Sequence, residues 1–199
     1  MAYPVNRRMA LNGMLMPMAR FLIGLALTLV IAGLAVVPAL ADAPAPDRST
    51  ARFEVKFMED MIDHHHMAVM MAELCPTRAT EHAALRDMCQ NIIMTQMQEI
   101  EEMQTWLKQW YGVDYEPMMS GMGSMQRLER LTGAEFEIAF MLMMIRHHEG
   151  AIREANKCLD RAYHGELEGL CQNIIATQSA EIQQMQTWLC DWYAICKPH

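Results

Sequence analysis

The chain has 199 residues, with 16 Lys and Arg against 24 Asp and Glu, 22 Met, 6 Cys, 8 His and a formal net charge of −8. This length fits one medium domain, and an acidic balance without a basic block in the body of the chain argues against a nucleic-acid partner. A hydrophobic content of 52% with only 10 Gly and 8 Pro excludes disorder and low-complexity fibres. Methionine supplies much of that apolar content.

Residues 1–41 have the pattern of a signal peptide. They carry three arginines and no acidic residue, are apolar over 21–37, and end in Ala39-Leu40-Ala41, a small-residue signal that signal peptidases recognise. An uncleaved membrane anchor is the alternative, because the apolar run approaches the roughly 18 residues that span a bilayer. Cleavage after Ala41 predicts a periplasmic or secreted protein without membrane contact, and the loss of three arginines shifts the net charge from −8 to −11.

The remainder of the chain repeats itself at an offset of 82 or 83 residues. The segment 57–65 recurs at 140–148, and 17 of the 27 positions in 85–111 are identical in 167–193. Each copy carries two segments whose apolar residues are spaced i, i+3 or i+4, and i+7, typical of amphipathic helices, and no segment alternates like a strand. Such helices bury their apolar stripes only against each other. The sequence therefore predicts an all-α, ferritin-like four-helix bundle made of two repeated helical hairpins.

The boundaries follow from these patterns. Pro76 and Gly165 mark the turns within the hairpins, and Thr132-Gly133-Ala134-Glu135 has the pattern of a capping box at the start of the third helix. The predicted parts are a signal peptide at 1–41, a linker at 42–52, a first hairpin at 53–111, a Met/Gly-rich linker at 112–131 and a second hairpin at 132–196, with one bundle domain over 53–196.

All six cysteines follow the signal segment, which places an even number in an oxidising compartment. Each hairpin has one cysteine at the end of its first helix and another near the start of its second. A bridge there joins the two helices at the turn and contributes about 3 kcal/mol by loop entropy. Soft-metal binding by thiolates is the alternative chemistry. The expected disulfides are Cys75–Cys89, Cys158–Cys171 and Cys190–Cys196.

Matched histidines and methionines occupy the inner faces of the first and third helices. On a helical wheel His65 falls at the centre of the apolar stripe and His64 at its shoulder, whereas His66 points away and has Glu149 as its counterpart. A bond to a neighbouring Gln is the ordinary explanation for one core His. Four histidines at matched positions favour a bound metal, since burying imidazoles costs free energy unless they have a hydrogen-bond partner or a metal ion. The candidate metal ligands are His64, His65, Met58, Met61, His147, His148, Met141 and Met144.

Secondary candidates lie on the other two helices and in the linker. The carboxylates of Glu99 and Glu181, at matched positions, either ligate the metal or reach water, and Met103 and Met185 repeat in the same way. The linker methionines do not follow a helical period and are either soft-metal ligands or ordinary linker residues. These linker candidates are Met118, Met119, Met122 and Met125. Four tryptophans are expected as core anchors near the bundle ends, namely Trp106, Trp110, Trp188 and Trp192.

The ligand types favour a copper ion, with silver as its substitute, because imidazole and thioether donors suit Cu(I). A di-iron carboxylate bundle needs Glu-x-x-His pairs, which the sequence lacks. The absence of C-x-x-C-H excludes covalent c-type haem, and non-covalent haem stays an alternative. No nucleophile–base order or phosphate loop occurs, so we expect a non-enzyme. A structural or partner-binding module without metal is the rival, since Met-rich surfaces adapt to varied partners.

Two motifs together resemble the domain-of-unknown-function family 305 over residues 53–193. They are Phe57-Met58-x-x-Met61-Ile62-x-His64-His65-x-x-Ala68 and Gln96-x-x-Glu99-Ile100-x-x-Met103-x-x-Trp106-Leu107, and both recur in the second copy. That family is ferritin-like and mostly exported, and it includes CopM-like copper-binding proteins of the periplasm. The resemblance implies a double-repeat bundle with a role in copper sequestration, carriage or tolerance. It leaves the protein partner and the oligomeric state open.

The chain departs from the family pattern at three places. It has a third consecutive histidine, His66, and it has six cysteines. Glu154 also stands where the first copy has Met71. The two halves are therefore expected to differ in metal affinity.

We expect maturation to remove residues 1–41, because the arginine-flanked apolar run ends in a small-residue cleavage signal. Intact-mass measurement of the exported protein checks this. A chain that still begins near Met1 would show a membrane anchor instead.

Overall fold

Four long helices and two short ones form the part of the chain that the structure describes. This computed structural model describes residues 43–118 and 122–196, and no strand occurs within those ranges. The helices are α1 (Arg48–Ala72), α2 (Cys75–Arg78), α3 (Ala83–Tyr111), α4 (Met122–Leu128), α5 (Gly133–Leu159) and α6 (Gly165–Tyr193). The predicted all-α bundle is confirmed. The predicted signal peptide lies outside the described residues.

The bundle is built from two hairpins that meet along α1 and α5. Helix α1 packs on α3, α5 packs on α6, and α1 and α5 form the main contact between the hairpins. The start of α1 lies beside the end of α5 and the reverse holds at the other end, so the two helices are antiparallel. No helix in the described part of the chain has the length and apolar character needed to cross a membrane.

Disulfides close both hairpin turns. Cys75 is joined to Cys89 and Cys158 to Cys171, with a Cα–Cα distance of 6.3 Å in each pair. The bridged cysteines are 14 and 13 residues apart in sequence. By the loop-entropy estimate, each bridge contributes about 3 kcal/mol to the free energy of unfolding. A third bridge joins Cys190 to Cys196. These are the three pairs expected from the sequence.

The two hairpins end differently. Helix α3 ends at Gly112 in the left-handed conformation (φ 67°), where its N–H bonds the carbonyl of Lys108. The matching residue after α6 is Ala194, which has φ 56°. A side chain in this conformation costs about 1 kcal/mol or more. The Cys190–Cys196 bridge spans that turn. The second hairpin therefore stabilises with a disulfide the turn that the first hairpin forms with a glycine.

Helix α5 begins where the sequence predicts, but without the predicted capping box. Thr132 is the N-cap residue in an extended conformation, yet its side chain makes no cap hydrogen bond. Gly133 has φ 58°, so the backbone turns sharply at this point. The carboxylate that anchors this end of α5 is Glu137, which is bonded to the α2–α3 turn of the other hairpin and to Tyr193 at the end of α6.

A buried carboxylate on each hairpin binds the turn of the other. Glu137 of α5 accepts hydrogen bonds from the backbone N–H groups of Glu81 and His82 (3.0 and 2.9 Å), from His82 Nδ1 (2.7 Å) and from the Tyr193 hydroxyl (2.6 Å). The His82 ring also stacks on Trp192, with centroids 3.8 Å apart. One carboxylate thus connects α5, the α2–α3 turn and the end of α6.

The same arrangement occurs at the opposite end of the bundle. Glu54 of α1 accepts from the N–H groups of Tyr163 and His164, from His164 Nδ1 and from the Tyr111 hydroxyl. His164 stacks on Trp110, at 3.8 Å. Its Nε2 also lies 2.9 Å from the carbonyl oxygen of Ala43. His164 is therefore held between the Glu54 carboxylate and the Ala43 carbonyl, one at each ring nitrogen. The expected roles of Trp110 and Trp192 as anchors thus extend to stacking on histidines.

The pKa of Glu54 and that of Glu137 lie below the usual carboxyl value. Burial raises each pKa, but the hydrogen bonds from tyrosine, histidine and backbone N–H groups lower it by more. Both side chains are fully buried and remain ionised at neutral pH. Their contribution to stability is present above the unfolded-state pKa and is lost as the pH falls through the folded value.

One linker methionine is part of the core. Met125 of α4 is 4% exposed and Leu128, one turn later, is fully buried. Both belong to the apolar cluster that also contains Phe136 and Phe140 of α5. The sequence interpretation that the linker methionines are outside the core was wrong for Met125. Part of the linker folds into α4, whose helical spacing places Met125 and Leu128 on one buried face.

We expect Glu137→Gln to lower the free energy of unfolding by about 3 kcal/mol. The amide cannot accept from four donors, and it leaves part-buried donors of the α2–α3 turn or of Tyr193 unpaired. Chemical denaturation at neutral pH measures the change. Glu135→Gln, on the exposed face of the same turn, is the matched control and should change stability by less than about 0.5 kcal/mol. Equal effects of the two variants would contradict this role for Glu137.

Candidate metal centre

The two hairpins meet through a pair of histidines whose rings are in close, tilted contact. The rings of His64 on α1 and His147 on α5 have centroids 3.6 Å apart and an interplanar angle of 34°. The helical wheel places His65, and its counterpart His148, at the centres of the apolar stripes. The rings in direct contact are those one position earlier, because the stripe shoulders, and not the stripe centres, face the neighbouring hairpin.

Nitrogens of this pair lack ordinary partners. Nδ1 of His64 and both ring nitrogens of His147 are buried and have no hydrogen bond within the described residues. Burial, together with the smaller effect of the neighbouring histidines, lowers the pKa of His64 to about 3 and that of His147 to about 2. Both rings are therefore neutral at pH 7, and each neutral ring offers a nitrogen lone pair.

His65 and His148 are held by carboxylates of their own hairpins. The Nε2 of His65 lies 2.7 Å from Oε2 of Glu99, and the Nε2 of His148 lies 2.7 Å from Oε2 of Glu181. A carboxylate accepts, so Nε2 donates. The Nδ1 of both rings is buried without a partner. A carboxylate that orients an imidazole and leaves its other nitrogen free is the usual second shell of a metal-binding histidine.

Two glutamines complete this layer. Gln96 and Gln178 each have a buried side-chain oxygen without a hydrogen bond in the described chain. With Glu99 and Glu181 they line a narrow pocket between α3 and α6. The sequence alternative in which a neighbouring Gln satisfies the core histidine is wrong, because the recorded partner of each histidine is a glutamate. The amide oxygens are left as further unpaired acceptors.

The candidate methionines are fully or almost fully buried on the two sides of the histidine layer. Met58 and Met61 pack with Met103 in one apolar cluster. Met141, Met144 and Met185 pack in the other. The structure therefore divides the methionines of the two copies between the two halves of the core.

A groove between α1 and α5 leads to the histidine pair. Met61 and His64 lie in its lining, together with Phe53 and Phe57 of α1. The space beside His64 depends on Gly150, because a Cβ there would lie 3.1 Å from Nε2 of His64. This groove is a route from solvent to a thioether and an imidazole.

The linker candidates are dispersed. Met118 is 62% exposed, whereas Met125 is buried in the core. Met119 and the side chain of Met122 lie outside the described residues.

The site is a cluster of single donors and not a preformed cage. In the described ranges, no three His, Cys, Asp or Glu side chains are grouped for one ion. The unpaired atoms are nevertheless buried imidazole nitrogens, and His64 shares its groove with the thioether of Met61. That donor set fits a soft or borderline cation such as Cu(I) or Ag(I), and it does not fit the oxygen-rich coordination of Mg²⁺ or Ca²⁺.

Comparison with known proteins identifies the family. Residues 54–189 match the family model described as Domain of unknown function (DUF305). The chain belongs to the DUF305 family. The predicted resemblance is thereby confirmed. No curated protein sequence matches the chain.

Solved structures of other DUF305-like bundles share this fold. CopM in its Cu(I)-bound form is 34% identical, with a TM-score of 0.63 over 70% of this chain and 97% of that one. A candidate secreted DUF305 protein from Streptomyces coelicolor is 26% identical, with a TM-score of 0.65 over 74% and 98%. A DUF305 fragment from Deinococcus radiodurans is 28% identical, with a TM-score of 0.62 over 69% and 95%.

We expect the metal-free protein to lose stability as the pH falls from 6 to 5. The pKa values of His64 and His147 are lowered from 6.5 to about 3 and about 2. The unfolded chain therefore takes up two protons that the folded chain does not, which costs about 2–3 kcal/mol per pH unit. Denaturation of the wild type and of His64→Gln/His147→Gln at several pH values measures the slope. The difference between the two slopes of unfolding free energy against pH gives the contribution of the His64–His147 pair. The same slope in both proteins would show that the pair is not neutral in the folded state.

Proposed function

We propose that this protein is an exported copper-binding protein that sequesters or carries Cu(I), and Ag(I) in its place. The observation that carries the proposal is the buried His64–His147 pair, which is neutral and has unpaired nitrogens at the contact between the hairpins. Buried polar atoms without partners cost about 1–3 kcal/mol each. A bound cation removes that cost, so the arrangement favours a metal over a purely structural core.

The proposed ligands come from both hairpins. His64, His65, His147 and His148 supply imidazole nitrogens, and the buried methionines next to them supply thioethers. Glu99 and Glu181 act as orienting groups that hold the protons of His65 and His148 away from the metal side. The ligand candidates other than histidine are Met58, Met61, Met141 and Met144, with Met103 and Met185 behind them.

Soft donors and the relatives support copper over other metals. Thioethers select Cu(I), and imidazole tolerates both copper oxidation states. CopM has been solved in Cu(I)-, Cu(II)- and Ag-bound forms. Because His64 and His147 are already neutral at pH 7, binding at these two rings releases no proton, which favours uptake in a mildly acidic compartment.

The haem alternative has no support in this geometry. A macrocycle between two axial ligands needs an open slot, whereas the rings of His64 and His147 are 3.6 Å apart. We propose a binding and not a catalytic role, since the donors are buried beneath a narrow groove. Export to the periplasm or the medium is the location that suits the disulfides and the signal segment.

Replacing His65 and His148 together with Gln should weaken Cu(I) binding at the tightest site by at least about a hundredfold, or about 2.7 kcal/mol. Anaerobic titration against a chromophoric Cu(I) competitor measures this. Glu99→Gln should lower the affinity by about ten- to a hundredfold, because it removes only the orienting carboxylate.

His66→Gln is the matched control for the tightest site, because His66 follows the pair but points away from the apolar stripe. The Cu(I) affinity of the His66→Gln variant at the tightest site should equal that of the wild type. Equal affinity in all three variants would refute the assignment. The candidate ligands would then be the linker methionines, Met118, Met119, Met122 and Met125.

A further inference from the structure

The outer face of α1 carries soft donors that the buried centre does not use. His66 and Met70 are spaced i, i+4, and Asp63 lies three residues before His66, so the three side chains share one face of the helix. His66 and Met70 are both partly exposed. This face is separate from the stripe that contains His65.

The linker after α3 is tied to this face. The Tyr115 hydroxyl donates to Oδ2 of Asp63 at 2.9 Å, and the backbone N–H of Met118 donates to Oδ1 at 2.7 Å. Gln104 of α3 also donates to the carbonyl of Tyr115, at 2.9 Å. Both oxygens of Asp63 are therefore occupied, which makes Asp63 an anchor for the linker and not a free metal ligand.

The linker runs toward His66. It leaves α3 beside Tyr111, which bonds Glu54 of α1, and at Met118 it reaches Asp63. That is nine residues, or about 13 Å, further along α1. The next turn of α1 in the same direction carries His66. Met118 itself is 62% exposed, so its thioether is outside the core, and its backbone is bonded to α1 one turn before His66.

The second hairpin lacks these groups. The residues matching Asp63, His66 and Met70 are Arg146, Glu149 and Arg153. No soft donor remains on the corresponding face of α5, although the buried histidines are kept in both copies. The exposed donors are therefore a property of one hairpin and not a by-product of the repeat.

We propose that His66 and Met118, with Met70 as a third donor, form a second and exposed site for a soft monovalent cation, Cu(I) or Ag(I). Asp63 is its positioning residue. Imidazole and thioether are the donor types that such cations prefer. Because the site is at the surface, it exchanges its ion more readily than the buried centre does. The inference uses none of the ligands of the proposed function and stands separately from it.

Silver titration of the mature protein tests the proposal. With methyl-labelled methionine, the Met118 methyl and the His66 ring signals should shift together in NMR spectra as Ag(I) is added. His66→Gln and Met118→Leu should each lower the affinity of one Ag(I) equivalent at least tenfold. Asp63→Ala should do the same while leaving both donors in place.

Two controls separate the possible results. Met94→Leu removes another exposed methionine, one that is 64% exposed, and should leave Ag(I) binding unchanged. The His65→Gln/His148→Gln variant should still bind the Ag(I) equivalent at the exposed site. A loss with Met94→Leu equal to that with Met118→Leu, or Met118 and His66 signals that do not move together, would overturn the proposal. Loss of the exposed equivalent alone leaves the buried centre unaffected, so the two proposals fail independently.

Discussion

The antiparallel register of α1 and α5 decides where the buried histidines of the two hairpins meet, and two buried carboxylates set that register. Glu54 and Glu137 each bind the turn of the opposite hairpin. His64 and His147 are each ten residues from the carboxylate on their own helix, which is about 15 Å of helix. Both therefore fall near the midpoint between the two ends, and the rings meet. A slip of one turn, about 5.4 Å, would separate them.

This geometry costs free energy in the metal-free protein. The imidazoles are buried, several nitrogens are unpaired, and the pKa values of His64 and His147 are lowered so far that neither ring gains a charge at neutral pH. The hairpin disulfides and the carboxylate clusters at the two ends offset that cost, since they fix the helices on both sides of the layer. The contact between His64 and His147 is thus maintained by interactions that do not involve these two rings.

The repeat made the fold predictable, because two copies with helical periodicity leave few arrangements other than a bundle. The inward position of His65 and the burial of the methionines also followed from the wheel. The contact between His64 and His147 did not, since a wheel gives the faces of one helix and not the angle at which its neighbour packs. The partners of Glu54 and Glu137 lie more than 50 residues away in sequence. A signal for them was nevertheless present, since Glu54 and His82 recur as Glu137 and His164.

Differences between the copies are concentrated on the surface, although the buried Met71 has the exposed Glu154 as its counterpart. The buried histidines, their glutamate partners and the end clusters must match, because the two-fold contact uses one residue from each copy. No such constraint acts on the outer faces, where the Asp63 and His66 positions of α1 become Arg146 and Glu149 of α5. One face can then collect soft donors while the other becomes charged, without disturbing the core. A duplicated bundle of this kind can therefore keep a symmetric buried centre and add an exposed site on one side only.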